Sequence, residues 1–222
     1  MSLTRRKLLT AGAVLALGAA AVSAGVLPPL TTLALAGDSD LFHEELAMAG
    51  PEGDMVIGSD KAPVTIIEYA SLTSRSCAEV AKDTLPELKK RYIDTGKVRY
   101  IVREFPTNPV DEAGFRLARC GGPDKYEAII ETLFAKQADW AVQQPIPQLL
   151  AIAKQFGFTE KSFRQCLANN MVLDAVEWVG QRASEKFGVN STPTFFINAK
   201  RFLGALPIDD MAHAIDSALK DG

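Results

Sequence analysis

The stretch VTIIEYASLTSRSC, residues 64–77, decides the fold of this chain. Its first half, Val64 to Tyr69, is a β-branched apolar run that predicts a buried strand, although Glu68 places a carboxyl group within it. Ser74 is a good N-cap residue and predicts a helix that begins at the next position. Cys77 then lies in the first helical turn, where the helix dipole and the free N–H groups favour a thiolate.

The rest of the chain predicts two sheet-forming parts separated by a helical block. Residues 55–57 and 98–105 are predicted strands, and the spacing around residues 64–77 predicts a βαβ unit with two parallel strands. Within the later strand, Arg99 and Arg103 are expected at accessible points. Apolar residues at helical spacing occupy residues 109–187, a hairpin is predicted over 194–203, and a last helix begins at Pro207.

The segment that ends in Ser74, Arg75, Ser76 and Cys77 resembles the active-site segment of DsbA-like thioredoxin-fold proteins. In that family Cys-X-X-Cys opens the helix, so here the second cysteine is present and the first is a serine. The resemblance covers most of the chain after residue 50 and implies an α/β thioredoxin fold with an inserted all-helical domain. The implied thioredoxin-fold parts are residues 37–107 and 188–222, and the helical insertion is residues 108–187.

Composition limits the classes of function. With 222 residues, 47% hydrophobic and 23% charged, the chain is long enough for one globular domain with a substantial core. A net charge of −3 gives no reason to expect a nucleic-acid partner. His43 and His213 are far apart and no Cys/His spacing suggests zinc, so neither a metal site nor a cofactor is expected.

Residues 1–36 are predicted to be a signal segment. Arg5-Arg6-Lys7 forms a basic region, no charge follows from Leu8 to Gly37, and Ala34-Leu35-Ala36 offers a cleavage site. The twin arginine resembles a Tat signal and predicts a periplasmic or otherwise exported protein. Cleavage after Ala24 is also open, and the alternative is an uncleaved membrane anchor, because the run is long enough to span a bilayer.

The resemblance also implies which residues surround the motif. Thr192-Pro193 stands where the family has a cis-proline that faces the motif, and the backbone of Thr192 can pair with an extended substrate. With Arg75 and Ser76 it forms the expected substrate-binding set. Glu68 lies where the family carries a buried acid beneath the second cysteine. Since a parallel central strand is covered on both faces, Glu68 should be buried, and burial should raise its pKa.

Two residues of the motif each have two interpretations. Cys77 is either shielded by the turn and a poor nucleophile, or a reactive single thiol favoured by the helix N-terminus and Arg75. Ser74 is either a helix N-cap or a nucleophile, and a nucleophilic serine needs an adjacent base that the nearby sequence does not supply. A serine cannot form the mixed disulfide on which dithiol exchange depends.

Cys120 and Cys166 both fall in the helical block, where exported DsbA-like proteins carry a second disulfide. The resemblance therefore implies a bridge between them, which leaves Cys77 as the odd thiol. In the chain-entropy model such a bridge stabilises by about 4 kcal/mol. The alternative is two free buried thiols.

The leading interpretation is an exported DsbA-like thiol–disulfide oxidoreductase with catalytic positions at Cys77, Ser74 and Glu68, impaired in dithiol exchange. Its expected partners are unfolded or reduced exported proteins and a membrane redox partner. A second interpretation is a peptide-binding module without redox chemistry. A third is a kappa-class-like glutathione transferase that uses Ser74 to stabilise a thiolate. Whether the chain is an active enzyme stays open.

Overall fold

The structure is a computed structural model that describes residues 41–221. The predicted signal segment, residues 1–36, and both of its cleavage sites lie outside the described residues. Across residues 41–221, no helix combines the length and apolar character that a bilayer crossing requires.

A five-stranded mixed sheet forms the centre of the molecule, in the spatial order β1-β3-β2-β4-β5. As predicted, β2 and β3 are parallel, whereas the other neighbouring pairs are antiparallel. The predicted strands and hairpin are therefore present, although the first strand has only two residues. The strands are β1 (Val56–Ile57), β2 (Val64–Ala70), β3 (Val98–Glu104), β4 (Thr194–Ile197) and β5 (Lys200–Leu203).

The helix after β2 changes its pitch along its length. It begins as α2 (Arg75–Glu79) and contains a short α-helical piece, α3 (Leu85–Leu88), with a π-helical turn on each side, Val80–Thr84 and Lys89–Ile93. Pro86 lies in the first turn of α3, directly after a π-helical turn. Because proline lacks the N–H that a helix interior uses, a Pro86 within the helix is compatible with this altered hydrogen-bond pattern.

The chain between β3 and β4 is helical, as the apolar periodicity predicts. Thr159 caps one of these helices in a capping box with Ser162, and Gly188 ends another in the left-handed conformation at φ 62°. An additional helix at residues 41–47, α1, precedes the sheet. The remaining helices are α4 (Pro109–Cys120), α5 (Pro123–Ala135), α6 (Gln137–Trp140), α7 (Ile146–Gln155), α8 (Glu160–Leu167), α9 (Asn170–Phe187) and α10 (Ile208–Asp221).

Both faces of the sheet are covered. On one face Ile66, Tyr100 and Phe195 share a core with the motif helix, most of the helical block and α10. On the other face Tyr69 and Phe196 pack in a second apolar cluster with residues of α1 and α9. Burial on both faces explains why the central strand is a nearly continuous apolar run.

The expectation that Arg103 is accessible is wrong, because this side chain is only 3% exposed. Its guanidinium pairs with the two carboxylate oxygens of Asp54 at 2.9 and 2.7 Å and donates to the carbonyl of Leu46 at 2.8 Å. Helix α1 and the loop after it thus cover the second face of the sheet. The buried guanidinium thus finds its hydrogen-bond partners within the protein, and these partners are too far away in sequence for a local pattern to indicate them.

Hydrogen bonds attach the helical block to the sheet, and a disulfide links two helices within the block. Glu104, at the end of β3, is fully buried and accepts hydrogen bonds from Arg119 of α4 and from Tyr126 of α5. Within the block, Cys120 and Cys166 form a disulfide with a Cα–Cα distance of 6.0 Å. Cys77 is the free cysteine of the chain and is buried.

Candidate active site

Ser74 is the N-cap of α2 and lies between the motif helix and a distant loop. Its extended backbone, at φ −75° and ψ 122°, lets its Oγ accept a hydrogen bond from the Cys77 N–H at 3.4 Å. The same hydroxyl donates to the carbonyl oxygen of Thr192 at 3.3 Å. Ser74 therefore has the N-cap role that its sequence position predicts, and it also joins the two segments of the proposed site.

Cys77 has no exposed surface, and its thiol is held in the protonated form. Burial and, to a smaller extent, the nearby charge of Glu68 together raise the pKa of Cys77 to about 12, although hydrogen bonds with Ser74, Ser71 and Thr192 act in the opposite direction. The position at a helix N-terminus, which favours a thiolate, is outweighed by this desolvation. The structure thus favours the shielded interpretation of Cys77 over the reactive one.

Glu68 is 3% exposed and lies on the sheet face that carries Cys77. Burial raises the pKa of Glu68 to about 7, and a hydrogen bond from Tyr100 limits the rise. The phenol of Tyr100 donates to Glu68 Oε2, whereas Oε1 has no hydrogen-bond partner among the described residues. An acid with this pKa can hold or release a proton near neutral pH.

The loop opposite the motif contains a cis peptide bond between Thr192 and Pro193. Pro193 is buried and its carbonyl accepts from the Gly204 N–H at 2.9 Å, which connects the loop to the end of β5. Thr192 is half-buried and receives the Ser74 hydroxyl. The structure therefore brings Ser74, Cys77 and Thr192 together.

Arg75 faces different surroundings from Thr192. Arg75 is exposed and lines a groove of about 750 Å³ between the motif helix and α5, together with Ala78 and Phe134. Thr192 and Pro193 do not line this groove. Of the residues predicted to bind substrate, Arg75 thus lines the groove, Thr192 and Pro193 lie in the loop, and Ser76 belongs to neither.

The sequence reasoning missed Asp111, whose side chain accepts hydrogen bonds from the turn before the motif helix. This carboxylate on α4 is fully buried and accepts from the hydroxyl of Ser71 and the N–H of Thr73, both at 2.7 Å, and from the N–H of Thr107 at 2.9 Å. Ser71 and Thr73 lie 40 and 38 positions before Asp111 in the chain, whereas Thr107 lies four positions before it. An Asp in the first turn of a helix is ordinary, so its sequence position carried no signal for this role.

Gln137 is a second missed residue. Its Nε2 donates to the carbonyl oxygens of Leu72 and Ser74, at 2.7 and 2.9 Å. Gln137 begins the short helix α6, so a residue of the helical block holds the turn that precedes the motif. The partners in these hydrogen bonds are more than 60 positions apart in the sequence, so no local pattern predicts the contact.

The geometry argues against serine nucleophilic catalysis. The Ser74 hydroxyl donates to a backbone carbonyl, which is not a base, and neither His43 nor His213 contributes a hydrogen bond to Ser74 in the described part of the chain. Within residues 41–221 no group of three or more His, Cys, Asp or Glu side chains is arranged to hold a metal ion. The chemical groups at the turn are a hydrogen-bonded hydroxyl, a buried thiol and a buried acid.

Comparison with known protein sequences finds relatives over most of the described chain. A family model described as Thioredoxin matches residues 51–217. A Rickettsia conorii protein that carries the name protein-disulfide oxidoreductase is 33% identical over 183 residues, which cover 77% of this chain and 62% of that relative. Disulfide bond formation protein D of Bacillus subtilis is 28% identical over 180 residues, with 76% of this chain and 78% of that protein covered. The chain thus spans about three fifths of the rickettsial relative.

Solved structures agree with the sequence relatives. Wolbachia pipientis alpha-DsbA1 superimposes with a TM-score of 0.74 at 27% identity, over 81% of this chain and 96% of that one. BdbD from Bacillus subtilis superimposes with a TM-score of 0.69 at 24% identity, over 78% of this chain and 97% of that one, and this likeness concerns the fold.

Proposed function

Because this chain belongs to the DsbA-like family of thioredoxin-fold proteins, we propose that it is an exported member impaired in dithiol exchange. The observation that carries the proposal is Ser74, hydrogen-bonded at the motif position where the family has its first cysteine. Dithiol exchange begins when a thiolate attacks a disulfide and forms a mixed disulfide. A serine hydroxyl that donates to the Thr192 carbonyl offers neither the sulfur nor the ionised atom for that step.

Cys77 does not take over the missing role. A nucleophile for disulfide exchange must be a thiolate with access to its target. Cys77 is fully buried, and its pKa of about 12 keeps the sulfur protonated at neutral pH. The second cysteine alone therefore supports at most slow exchange.

Export is part of the proposal and rests on the sequence. The basic, uncharged and A-x-A regions of residues 1–36 have the order of a secretory signal. A disulfide between Cys120 and Cys166 suits an oxidising compartment. In such a compartment the substrates would be reduced or unfolded exported proteins, and a membrane redox protein would be a further partner.

Peptide binding without redox chemistry is the second candidate, and one observation favours it. The groove beside Arg75 has a volume of about 750 Å³, and apolar side chains such as Ala78 and Phe134 line it together with charged ones such as Lys82 and Glu131. A groove of this kind suits an apolar segment of an unfolded chain. This activity needs no sulfur at position 74.

An oxidative refolding assay tests the proposal. Reduced, unfolded ribonuclease A is incubated with the wild-type chain, with its Ser74→Cys variant and with buffer alone. We expect the wild-type rate to stay near the buffer rate, and binding of the unfolded substrate is measured in parallel by fluorescence anisotropy. Turnover by the wild-type chain at the rate of the Ser74→Cys variant would overturn the proposal. Saturable binding of glutathione would support the transferase interpretation instead.

A further inference from the structure

Tyr100 and Glu68 form a buried pair beneath the motif. Tyr100 lies on β3 and pairs in register with Ile66, so its side chain is on the face of the sheet that also carries Glu68. Tyr100 is fully buried, Glu68 is 3% exposed, and the phenol donates a hydrogen bond to Glu68 Oε2. The phenol therefore fixes the orientation of the carboxyl group.

The two oxygens of Glu68 have different environments. Oε2 receives the Tyr100 hydroxyl, whereas Oε1 is buried and has no partner in the described part of the chain. Buried polar atoms are nearly always hydrogen-bonded, so an orphaned carboxyl oxygen calls for an explanation. An explanation consistent with the chemistry of a carboxyl group is that Oε1 is the atom that takes up and releases a proton.

The groups around Glu68 leave Cys77 as the partner for such a proton. Within residues 41–221, Tyr100 is the titratable side chain that acts on Glu68, Glu68 is the one that acts on Cys77, and both of them act on Tyr100. From β4, the residue opposite Glu68 is Phe195, and α10 contributes Met211 and Ile215 to the same apolar core. The exposed charges of α10 face away from this core.

We propose that Tyr100 is a positioning residue, which binds Glu68 Oε2 and so leaves Oε1 as the oxygen that accepts the Cys77 proton when that sulfur reacts. The inference rests on the proposed function, because it takes Cys77 to be the second cysteine of the motif. Tyr100 acts through Glu68 and does not itself touch the reacting sulfur.

The step can be written for the Ser74→Cys variant carrying glutathione as a mixed disulfide on the introduced cysteine. Cys77 Sγ gives its proton to Glu68 Oε1 and attacks the introduced sulfur. A disulfide forms between these two sulfurs, the bond to the glutathione sulfur breaks, and glutathione leaves as a thiolate that takes a proton from solvent. No other oxidant or reductant is needed.

The first test measures the carboxyl group directly. The full chain is labelled with 13C at the glutamate carboxyl carbons, and the Glu68 resonance is assigned by its loss in Glu68→Gln. We expect a titration midpoint near pH 7 in the wild type. In Tyr100→Phe the midpoint should rise by roughly one unit, because a hydrogen bond that stabilises the carboxylate is lost. An unchanged midpoint in Tyr100→Phe would overturn the inference.

A matched control is Tyr69→Phe, which removes a buried phenol on the opposite face of the sheet, where Tyr69 accepts from Arg103 at 3.1 Å. This variant should leave the Glu68 midpoint at its wild-type value. A shift equal to that of Tyr100→Phe would show a general effect of losing a buried hydroxyl and would also overturn the inference.

The second test is kinetic. In Ser74→Cys, the rate of glutathione release should rise with pH through about 7, as the carboxyl becomes able to accept a proton. Adding Tyr100→Phe should move this rise to higher pH by roughly one unit, and adding Tyr69→Phe should not. An identical profile with and without Tyr100→Phe contradicts the inference but leaves the proposed function intact. If Ser74→Cys forms no disulfide with Cys77, the proposed alignment of the motif fails, and the carboxyl titration still decides the role of Tyr100.

Discussion

The Ser74 hydroxyl lies 3.3 Å from the carbonyl oxygen of Thr192, a residue 118 positions later in the chain. This hydrogen bond brings the N-terminus of the motif helix against the loop of the cis peptide bond. Ser74 Oγ also receives the Cys77 N–H, so the side chain at position 74 lies directly over residue 77. The hydroxyl at position 74 is therefore hydrogen-bonded both to the loop of the cis peptide bond and to the first turn of the motif helix.

Ser74→Cys should form a disulfide with Cys77. The side chains of Ser74 and Cys77 are hydrogen-bonding neighbours, so the introduced sulfur would lie within bonding reach with little backbone movement. The variant is equilibrated in glutathione redox buffers, its free thiols are alkylated, and the mass is measured. Ser76→Cys is the matched control, because adjacent residues do not face each other on a helix. Two free thiols in Ser74→Cys under oxidising conditions would contradict the alignment.

Cys77 should react slowly with alkylating reagents in the folded protein. Its pKa rises from 9.0 to about 12, because the sulfur is buried and lies near Glu68. At pH 8 the thiolate fraction is then smaller than in the unfolded chain by on the order of a thousandfold. Iodoacetamide labelling followed by peptide mapping should find one thiol, Cys77, after unfolding without reductant. Rapid native labelling, or a labelled Cys120 before reduction, would contradict the structure.

Glu68 should make the stability of the fold depend on pH. The pKa of Glu68 is raised from 4.5 to about 7 in the folded state. Its stabilising contribution to the free energy of unfolding is therefore fully present below pH 4.5 and is lost as pH rises through about 7. The wild type should therefore lose about 3 kcal/mol more than Glu68→Gln over this window. Urea unfolding at pH 5 and pH 8 measures the difference.

The control for this prediction is Glu79→Gln, which changes an exposed acid on the same helix as Cys77. Its pH dependence should match that of the wild type. If Glu68→Gln also follows the wild-type profile, the buried carboxyl does not titrate in this window.

Gln137→Ala should loosen the turn that carries the motif. The substitution removes two hydrogen bonds and leaves the carbonyl oxygens of Leu72 and Ser74 without these donors. Such losses cost about 1–2 kcal/mol of unfolding free energy, and the amide of Cys77 should exchange with deuterium more readily. Gln143→Ala, at an exposed position of the following loop, is the control. If the two variants have equal stability and equal protection of the Cys77 amide, Gln137 does not stabilise the turn that carries the motif.

Much of the fold follows from the sequence, because the relevant interactions join residues that are close along the chain. The apolar run predicts the buried strand Val64–Ala70, Ser74 predicts the start of the motif helix, and Thr159 and Gly188 mark helix ends. The burial of Glu68 also follows, since a parallel central strand is covered on both faces.

The surroundings of the site were decided by the tertiary structure alone. Arg103 was expected at an accessible position, yet α1 and Asp54 enclose it. Asp111, Gln137 and Tyr100 reach the turn or its buried acid across 32 to 65 positions of sequence.

The physical reason for this difference is the distance along the chain over which each kind of interaction acts. Helix caps and apolar periodicity arise from backbone geometry within a few residues, so the sequence of this chain determined its strands, its helices and the serine at the motif. A hydrogen bond between buried side chains depends on which surfaces pack together, and desolvation depends on everything that surrounds the group. Only the folded chain could therefore decide that Cys77 is a buried, protonated thiol and that Tyr100 holds one oxygen of Glu68.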